Sequence, residues 1–310
     1  MGSQTVAGAK VSAHALAGSP AWSPPVESRW PKALGQEPGQ TSTARFPRSK
    51  APGQEPPGQE PERSAVFVPF YDANRLRHIS FQYVTVGLIA ANALVYLFAK
   101  ASGETGAFLS AFEISYGFIP AVVNGYAELP PAYVAVPGWL NFLTYSFLHL
   151  DIWHIGGNML FLWVFGDNVE DAFGHVKFLV FYLACAAAGA GLHALMFPGS
   201  EATLIGASGA VSGVAAAYLM LHPRVWVWVL AFGRIPLNLP AWLLLIVWIG
   251  LQFVLFAAGA EDVSYAAHAG GILAGAALTL VLRRRGVVLF DRQIQTPRAV
   301  ELEPSDTGRS

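Results

Sequence analysis

The sequence predicts an all-α membrane protein built around a bundle of six transmembrane helices. Two features of its composition support this prediction. Hydrophobic residues make up 54% of the 310 residues and charged residues only 13%, and the mean hydropathy is +0.43. A soluble domain of average composition has about a quarter charged residues. The formal net charge of −1 also argues against a nucleic-acid partner.

The first 64 residues differ in composition from the rest of the chain. They are rich in Pro, Gly, Gln and Ser, and they hold seven of the nineteen Lys and Arg residues. Such a segment buries too little apolar surface to offset the entropy lost on ordering, and it has no apolar core typical of a signal peptide. We therefore predict a disordered tail over 1–64, a membrane domain over 65–290 and a cytoplasmic tail over 291–310.

Six apolar stretches follow the first tail. Most of them approach the roughly 20 apolar residues that a membrane-spanning helix needs. The second and the fourth are shorter and contain glycine, hydroxyl or imidazole groups, which is typical of helices that border a water-filled cavity. The six stretches lie at approximately 81–99, 150–166, 177–197, 207–222, 241–258 and 264–282.

The basic residues predict how these spans are oriented. Lys and Arg occur in alternate connections, whereas the loops 101–150, 198–205 and 259–263 contain none. Lys100, at the end of the first span, is the exception to the alternation. Because basic loops face the cytoplasm, the pattern predicts both termini there. The compact six-span form predicts a bacterial-type plasma membrane. The long loop 101–149 is predicted to be either a segment that lies in the membrane interface or an ordinary connection.

Four polar side chains are predicted to lie at one depth in the bilayer. His154 and Asn158 belong to the second span, Ser208 to the fourth and His268 to the sixth, and all three spans run from the outer to the cytoplasmic face. Helix rise places the four about 18 to 24 Å from the cytoplasmic ends of their helices. Because polar groups in membrane helices are costly and usually functional, they predict a site nearer the outer surface.

The types of these residues predict acyl-transfer chemistry. Ser208 is a weak nucleophile until a base takes its proton, and His268 titrates in the range that such a base needs. Ser208 is predicted to begin its helix, where free amide groups favour a developing negative charge. The flanking Gly206 and Gly209 permit a tight turn and the close approach of a substrate carbonyl. Since no carboxylate lies at this depth, we predict a dyad and not a triad.

His154 and Asn158 are the predicted oxyanion donors. They lie four residues apart and therefore share one helix face. Both can donate hydrogen bonds to an oxyanion, the role that usually contributes most to acyl transfer. His149, just before this helix, is predicted to be a supporting hydrogen-bond partner.

Three motifs, on the second, fourth and sixth spans, resemble those of the rhomboid family of intramembrane serine proteases. The resemblance implies Ser208 as nucleophile, His268 as general base, and His154 and Asn158 with the Ser208 amide as oxyanion hole. It implies cleavage of membrane-anchored proteins within or next to their transmembrane segments, so the expected partners are such substrates and the lipid bilayer. No cofactor is implied. The motifs are HLDIWHIGGN over 149–158, GASGAVSG over 206–213 and AHAGGILAG over 267–275.

The chain departs from the family pattern in two places. Some bacterial members have a tyrosine four residues after the nucleophile, beneath the catalytic imidazole, where this chain has Ser212. Many members also carry a Trp-Arg pair in the first loop, where this chain has Leu140 and Asn141. The support for His268 is therefore expected to differ from that in those members.

The sequence leaves open alternatives to a catalytic role for these residues. The serine motif also suits a small-residue packing face, and Ser212 is a rival nucleophile one turn deeper. A metal site formed by His149, His154 and His268 is the other chemical option, but no HExxH motif or suitable carboxylate accompanies it, and no metal is predicted. The alternative function is a catalytically silent rhomboid-like protein that binds membrane clients, a role that does not need Ser208. The oligomeric state is not predicted.

Overall fold

The computed structural model describes residues 67–102, 106–231, 234–258 and 264–291. The predicted disordered tail over 1–64 lies outside the described residues, as does the predicted C-terminal tail apart from Asp291. Within the described ranges the chain is mostly helical.

The described residues form nine α-helices. Six of them, α1 and α5 to α9, coincide with the six predicted apolar stretches, while α2 to α4 and three short 3-10 turns lie in or next to the predicted loop 101–149. The helices are α1 (Tyr83–Ser102), α2 (Gly106–Tyr116), α3 (Pro120–Val123), α4 (Asn141–Thr144), α5 (Ile152–Phe173), α6 (His175–Met196), α7 (Ser208–Leu221), α8 (Ala241–Ala257) and α9 (Tyr265–Leu282).

The lengths and hydropathies of the helices are those of an integral membrane protein. Among the described residues, three segments are long and apolar enough to cross a bilayer, and α7 and α8 are apolar but shorter. The three are Tyr83–Ala101 in α1, His175–Met196 in α6 and Tyr265–Leu282 in α9.

The second predicted span is longer than its apolar stretch indicates. α5 continues beyond residue 166 to Phe173 because the polar groups of its last turns are buried and hydrogen-bonded. The fully buried Glu170 accepts hydrogen bonds from the amide and the hydroxyl of Thr85, at 2.8 and 2.7 Å, in the first turn of α1. Asp171 accepts from the three consecutive backbone amides of residues 77–79. These bonds fix the start of α1 against the end of α5.

The prediction of an all-α protein misses a three-stranded antiparallel sheet. β1 (Phe67–Asp72) pairs with β2 (Trp226–Ala231), which pairs with β3 (Ile235–Pro240). β2 alternates between half-buried and buried residues, as a strand with one face on a core does. β3 leads directly into α8, so the sheet closes the end of the bundle where α7 ends and α8 begins.

The helix connections gather at two opposite ends of the bundle. We call the end that holds the strands and residues 284–291 the sheet end, where the Arg284 amide donates to the Ala172 carbonyl at 2.9 Å. We call the other end, formed by residues 106–150 and 197–207, the loop end. There Phe118 and Leu204 pair in an antiparallel bridge. The loops without Lys or Arg that the structure describes therefore lie together.

α7 occupies the centre of the bundle. All of its residues except Ser208, Leu219 and Met220 are buried, as expected for a helix that is apolar on every side. α7 packs closely on α9 through facing glycines: a Cβ at Gly275 would lie 2.6 Å from the Cα of Gly213. The glycines of α9 therefore serve helix packing.

Candidate active site

The predicted site residues lie where three helices begin at the loop end. Ser208 is the first residue of α7, His154 the third of α5 and His268 the fourth of α9. At 1.5 Å rise per residue, all three lie within about 5 Å of their helix starts. The structure therefore brings three of the four predicted residues to one level of the bundle. Asn158, the seventh residue of α5, lies about 9 Å from the start of its helix and so about one turn deeper than His154.

A glycine turn presents Ser208. Gly206 has a φ of +121°, which residues with a side chain rarely adopt. A Cβ at this position would lie 2.7 Å from Nε2 of His154 and 3.8 Å from Oγ of Ser208. The missing side chain therefore lets the His154 ring approach the backbone of the turn, close to the Ser208 hydroxyl. Ser208 itself is half-buried.

His149 contacts the same turn through the backbone amide of Ala207. The Ala207 amide donates to Nε2 of His149 at 3.4 Å, and the rings of His149 and His154 meet edge to face at 5.0 Å. Burial, with the neighbouring His154, lowers the pKa of His149 to about 4. The ring is therefore neutral at physiological pH and can accept the amide hydrogen. This contact is of the supporting kind that the sequence predicts.

His268 lies in a closed environment between α8 and α9. It is 6% exposed, and its Nδ1 lies 2.6 Å from Oε1 of Gln252. The Trp248 ring stacks near it, with centroids 6.4 Å apart and planes 27° apart, and Tyr265 meets it edge-on at 6.0 Å. Nε2 is buried and has no hydrogen-bond partner among the described residues. The imidazole is thus fixed on one side and open for bonding on the other.

Gln252 is the site neighbour that the sequence prediction missed. It is the only amide or charged side chain in α8, whose other residues are apolar or glycine. The sequence feature that could have identified it is a single amide side chain in an otherwise apolar helix, four residues after Trp248. Its partner lies on a different helix, so helix periodicity does not identify it.

The predicted contact between Ser208 and His268 is not formed within the described residues. Ser208 and His268 are not hydrogen-bonded, because Nε2 of His268 has no partner and Nδ1 binds Gln252. Asn158 donates from Nδ2 to the His154 carbonyl of its own helix at 2.9 Å, which leaves its second amide hydrogen for another acceptor. Catalytic hydrogen bonds are often long in unliganded enzymes and shorten only with substrate bound.

The rival nucleophile Ser212 is engaged elsewhere. It is fully buried, and its hydroxyl donates to the Ser208 carbonyl of the preceding turn at 2.6 Å. Gly209 takes part in the small-residue packing that the serine motif also suits, because a Cβ there would meet the Tyr145 hydroxyl at 3.1 Å and the Ala267 carbonyl at 3.4 Å. It therefore permits the close approach of α7 to α9, and this brings the Ser208 turn next to the His268 turn.

The described residues contain no cluster of three or more His, Cys, Asp or Glu with the spacing of a metal site. The rings of His149 and His154 approach each other, His149 accepts from the Ala207 amide, and His154 lies against the Gly206 turn.

Comparison with known proteins identifies a family domain and several relatives. Residues 136–285 match the Rhomboid domain. The chain is 34% identical over 164 residues to RHOMBOID-like protein 12, mitochondrial, of Arabidopsis thaliana, a match that covers 48% of this chain and 47% of the relative. It is 30% identical over 141 residues to Rhomboid protein 1, mitochondrial, of Saccharomyces cerevisiae, covering 44% and 40%.

A bacterial relative is also similar. The chain is 31% identical over 157 residues to Rhomboid protease GluP of Bacillus subtilis, covering 49% of this chain and 28% of the relative. The matches span less than half the length of each of these relatives. The predicted bacterial-type plasma membrane is not supported, because both eukaryotic relatives are named as mitochondrial. The domain match and these relatives support a rhomboid family protein, an integral membrane protein whose Rhomboid domain is residues 136–285.

Proposed function

We propose that this protein is an intramembrane serine endopeptidase that cleaves membrane-anchored proteins within or next to their transmembrane segments. Ser208 is the nucleophile and His268 the general base. The observation that carries the proposal is a half-buried hydroxyl at the start of a central helix, on a turn that packs against the α9 turn of His268. The buried Nε2 of that imidazole has no hydrogen-bond partner among the described residues. A hydroxyl becomes a useful nucleophile only when such a base takes its proton.

The membrane arrangement is part of the proposal. α1 and α5 to α9 all cross the bilayer, and both termini lie on the side of the sheet end. The basic residues support this, since Arg75, Arg77, Arg224 and Arg283 to Arg285 all lie near the sheet end. The site then opens towards the opposite face, where water can reach Ser208.

The first half of the reaction forms an acyl-enzyme. Oγ of Ser208 attacks the scissile carbonyl while Nε2 of His268 takes the hydroxyl proton. The oxyanion accepts hydrogen bonds from the Ser208 amide, which as a first-turn amide has no partner in its own helix, and from His154 and the second amide hydrogen of Asn158. His268 then gives its proton to the departing amine, and the peptide bond breaks.

The second half releases the product. Water attacks the acyl carbonyl with His268 again as base, and Ser208 recovers its proton. The peptide must be extended at the cleavage site, because a helix hides its carbonyls in backbone hydrogen bonds. The expected substrates are therefore transmembrane segments that unwind readily near the loop end. The similarity to a relative named as a protease, GluP, supports this class of reaction.

The alternative is a catalytically silent rhomboid-like protein that binds membrane clients. A cleavage assay in proteoliposomes with a model transmembrane substrate separates the two. Wild type and Ser212→Ala are expected to cleave, whereas Ser208→Ala and His268→Ala are expected to lose cleavage by a factor of at least about 1,000. Full cleavage by Ser208→Ala would refute the proposal, and a folded wild type that binds the substrate without cleaving it would favour the alternative.

A further inference from the structure

The orientation of the His268 ring is set from α8. Gln252 is 7% exposed, and Oε1 of its amide lies 2.6 Å from Nδ1 of His268. The same amide donates from Nε2 to the Trp248 carbonyl of its own helix at 3.4 Å. A buried side chain with both ends bonded has little freedom to turn, so the Gln252 amide is held between two partners.

These two contacts determine which nitrogen of His268 carries the proton. A backbone carbonyl only accepts hydrogen bonds, so the Gln252 NH2 group must face Trp248. The amide oxygen therefore faces His268, and an amide oxygen also only accepts. Nδ1 of His268 is then the donor, and in a neutral imidazole the other nitrogen, Nε2, carries the lone pair.

The other neighbours of His268 also indicate that α8 holds the imidazole ring in place. Where some family members have a tyrosine beneath the imidazole, this chain has Ser212, whose hydroxyl is bonded within α7. The Trp248 ring, one helical turn before Gln252, instead stacks near the imidazole. α8 thus supplies both the hydrogen bond and the flat surface that hold the ring.

We propose that Gln252 is a positioning residue that holds His268 as the Nδ1–H tautomer, with the lone pair of Nε2 available to take the Ser208 proton. Without this bond, both neutral tautomers are populated and the ring can rotate. Only one of the two tautomers can act as a base through Nε2. The effect on catalysis rests on the proposed protease function, whereas the tautomer is a property of the folded protein.

The test measures the tautomer and the rate separately. In protein labelled with 15N-histidine, the His268 resonances are assigned by comparison with His268→Ala, and their shifts distinguish a protonated from an unprotonated ring nitrogen. Wild type is expected to show a protonated Nδ1 and an unprotonated Nε2. A protonated Nε2 in wild type would overturn the inference, whatever the activity.

Two substitutions test the rate. Gln252→Leu keeps the size of the side chain but removes the acceptor, and it is expected to mix the tautomers and lower kcat about 10- to 100-fold with KM unchanged. Gln252→Glu keeps an oxygen that accepts from Nδ1 in either protonation state and is expected to stay within about 10-fold of wild type. Leu251→Ala, on the exposed side of α8, is the control for helix stability.

The outcomes separate this inference from the proposed function. A Gln252→Leu variant with an unchanged tautomer and kcat within twofold of wild type would refute the positioning role. If Gln252→Leu does not fold, the wild-type tautomer and the Gln252→Glu rate still decide the question. If wild type shows the Nδ1–H tautomer but Ser208→Ala still cleaves normally, Gln252 remains the determinant of the ring state. The proposed protease mechanism is then wrong.

Discussion

The glycine contact between α7 and α9 makes a prediction that can be worked out from the structure. A Cβ at Gly275 would lie 2.6 Å from Cα and 2.8 Å from the carbonyl carbon of Gly213. Ordinary carbon contacts are at least about 3.5 Å. Because the clash is with backbone, no side chain can turn away, and α9 must move from α7 by about 1 Å. We therefore expect Gly275→Ala to destabilise the protein by about 2–3 kcal/mol or more.

Gly250→Ala is the matched control. Gly250 lies in α8, it is exposed, and a Cβ there meets no atom within 4 Å. The control is expected to be neutral or to stabilise by up to about 1 kcal/mol, because alanine favours the helix. The same chemical change thus has opposite expected signs at the two positions.

The assay is denaturation in detergent micelles followed by circular dichroism, combined with substrate cleavage. Because the helix crossing positions Ser208 beside His268, a shift of about 1 Å is expected to lower cleavage about 100-fold in Gly275→Ala and to leave Gly250→Ala near wild type. If both variants are equally stable and active, α7 and α9 are not in the close contact described here.

Three further predictions concern the turn, the sheet end and α1. Gly206→Ala is expected to lower cleavage at least about 100-fold, since its Cβ would displace the His154 ring and strain the backbone; an active variant would contradict the geometry of this turn. Burial, and next the charge of Asp167, raise the pKa of the Asp72 carboxyl from 3.8 to about 8. Between these values the folded protein keeps Asp72 protonated whereas the unfolded chain releases the proton. Stability is expected to fall as pH rises from about 4 to 8, by up to about 1.4 kcal/mol per unit, and melts of Asp72→Asn should lose that slope. Glu170→Ala leaves the Thr85 amide and hydroxyl without their acceptor and is expected to lower stability by about 2–4 kcal/mol in the same melts.

The level of the site was predictable because it depends on local properties of the chain. Ser208 begins α7, as Gly206 before it and the apolar run after it indicate. His154 and His268 fall in the first turns of their helices because each apolar stretch begins only a few residues earlier. Helix rise is nearly constant, so counting residues is enough to place these groups at one level.

The contacts that depend on distant partners were not predictable. α5 runs seven residues past its apolar stretch because Glu170 and Asp171 are bonded to segments more than 80 residues earlier in the sequence. The hydrogen bond from His268 to Gln252 joins two helices, and nothing in the pattern of α8 selects that partner. The strands are six residues each and largely apolar, and a short apolar run does not distinguish a strand from a helix end.

Ser208 and Ser212 are two options that the sequence leaves open, and their surroundings in the structure differ. Both serines of the GASGAVSG motif lie on one face of α7, at a spacing of one turn. Ser212 is buried with its hydroxyl donating to the Ser208 carbonyl, whereas Ser208 is half-buried beside the turn at Gly206. Their difference in accessibility comes from the end of α7, which leaves Ser208 uncovered.

The most direct test of a Ser208 nucleophile activated by His268 is to identify the residue that a serine-directed fluorophosphonate modifies. The purified protein in detergent is labelled, digested and analysed by tandem mass spectrometry, beside Ser212→Ala and His268→Ala. We predict one adduct, on Ser208, that persists in Ser212→Ala and disappears in His268→Ala. An adduct on Ser212, or labelling of Ser208 at an unchanged rate without His268, would contradict the account.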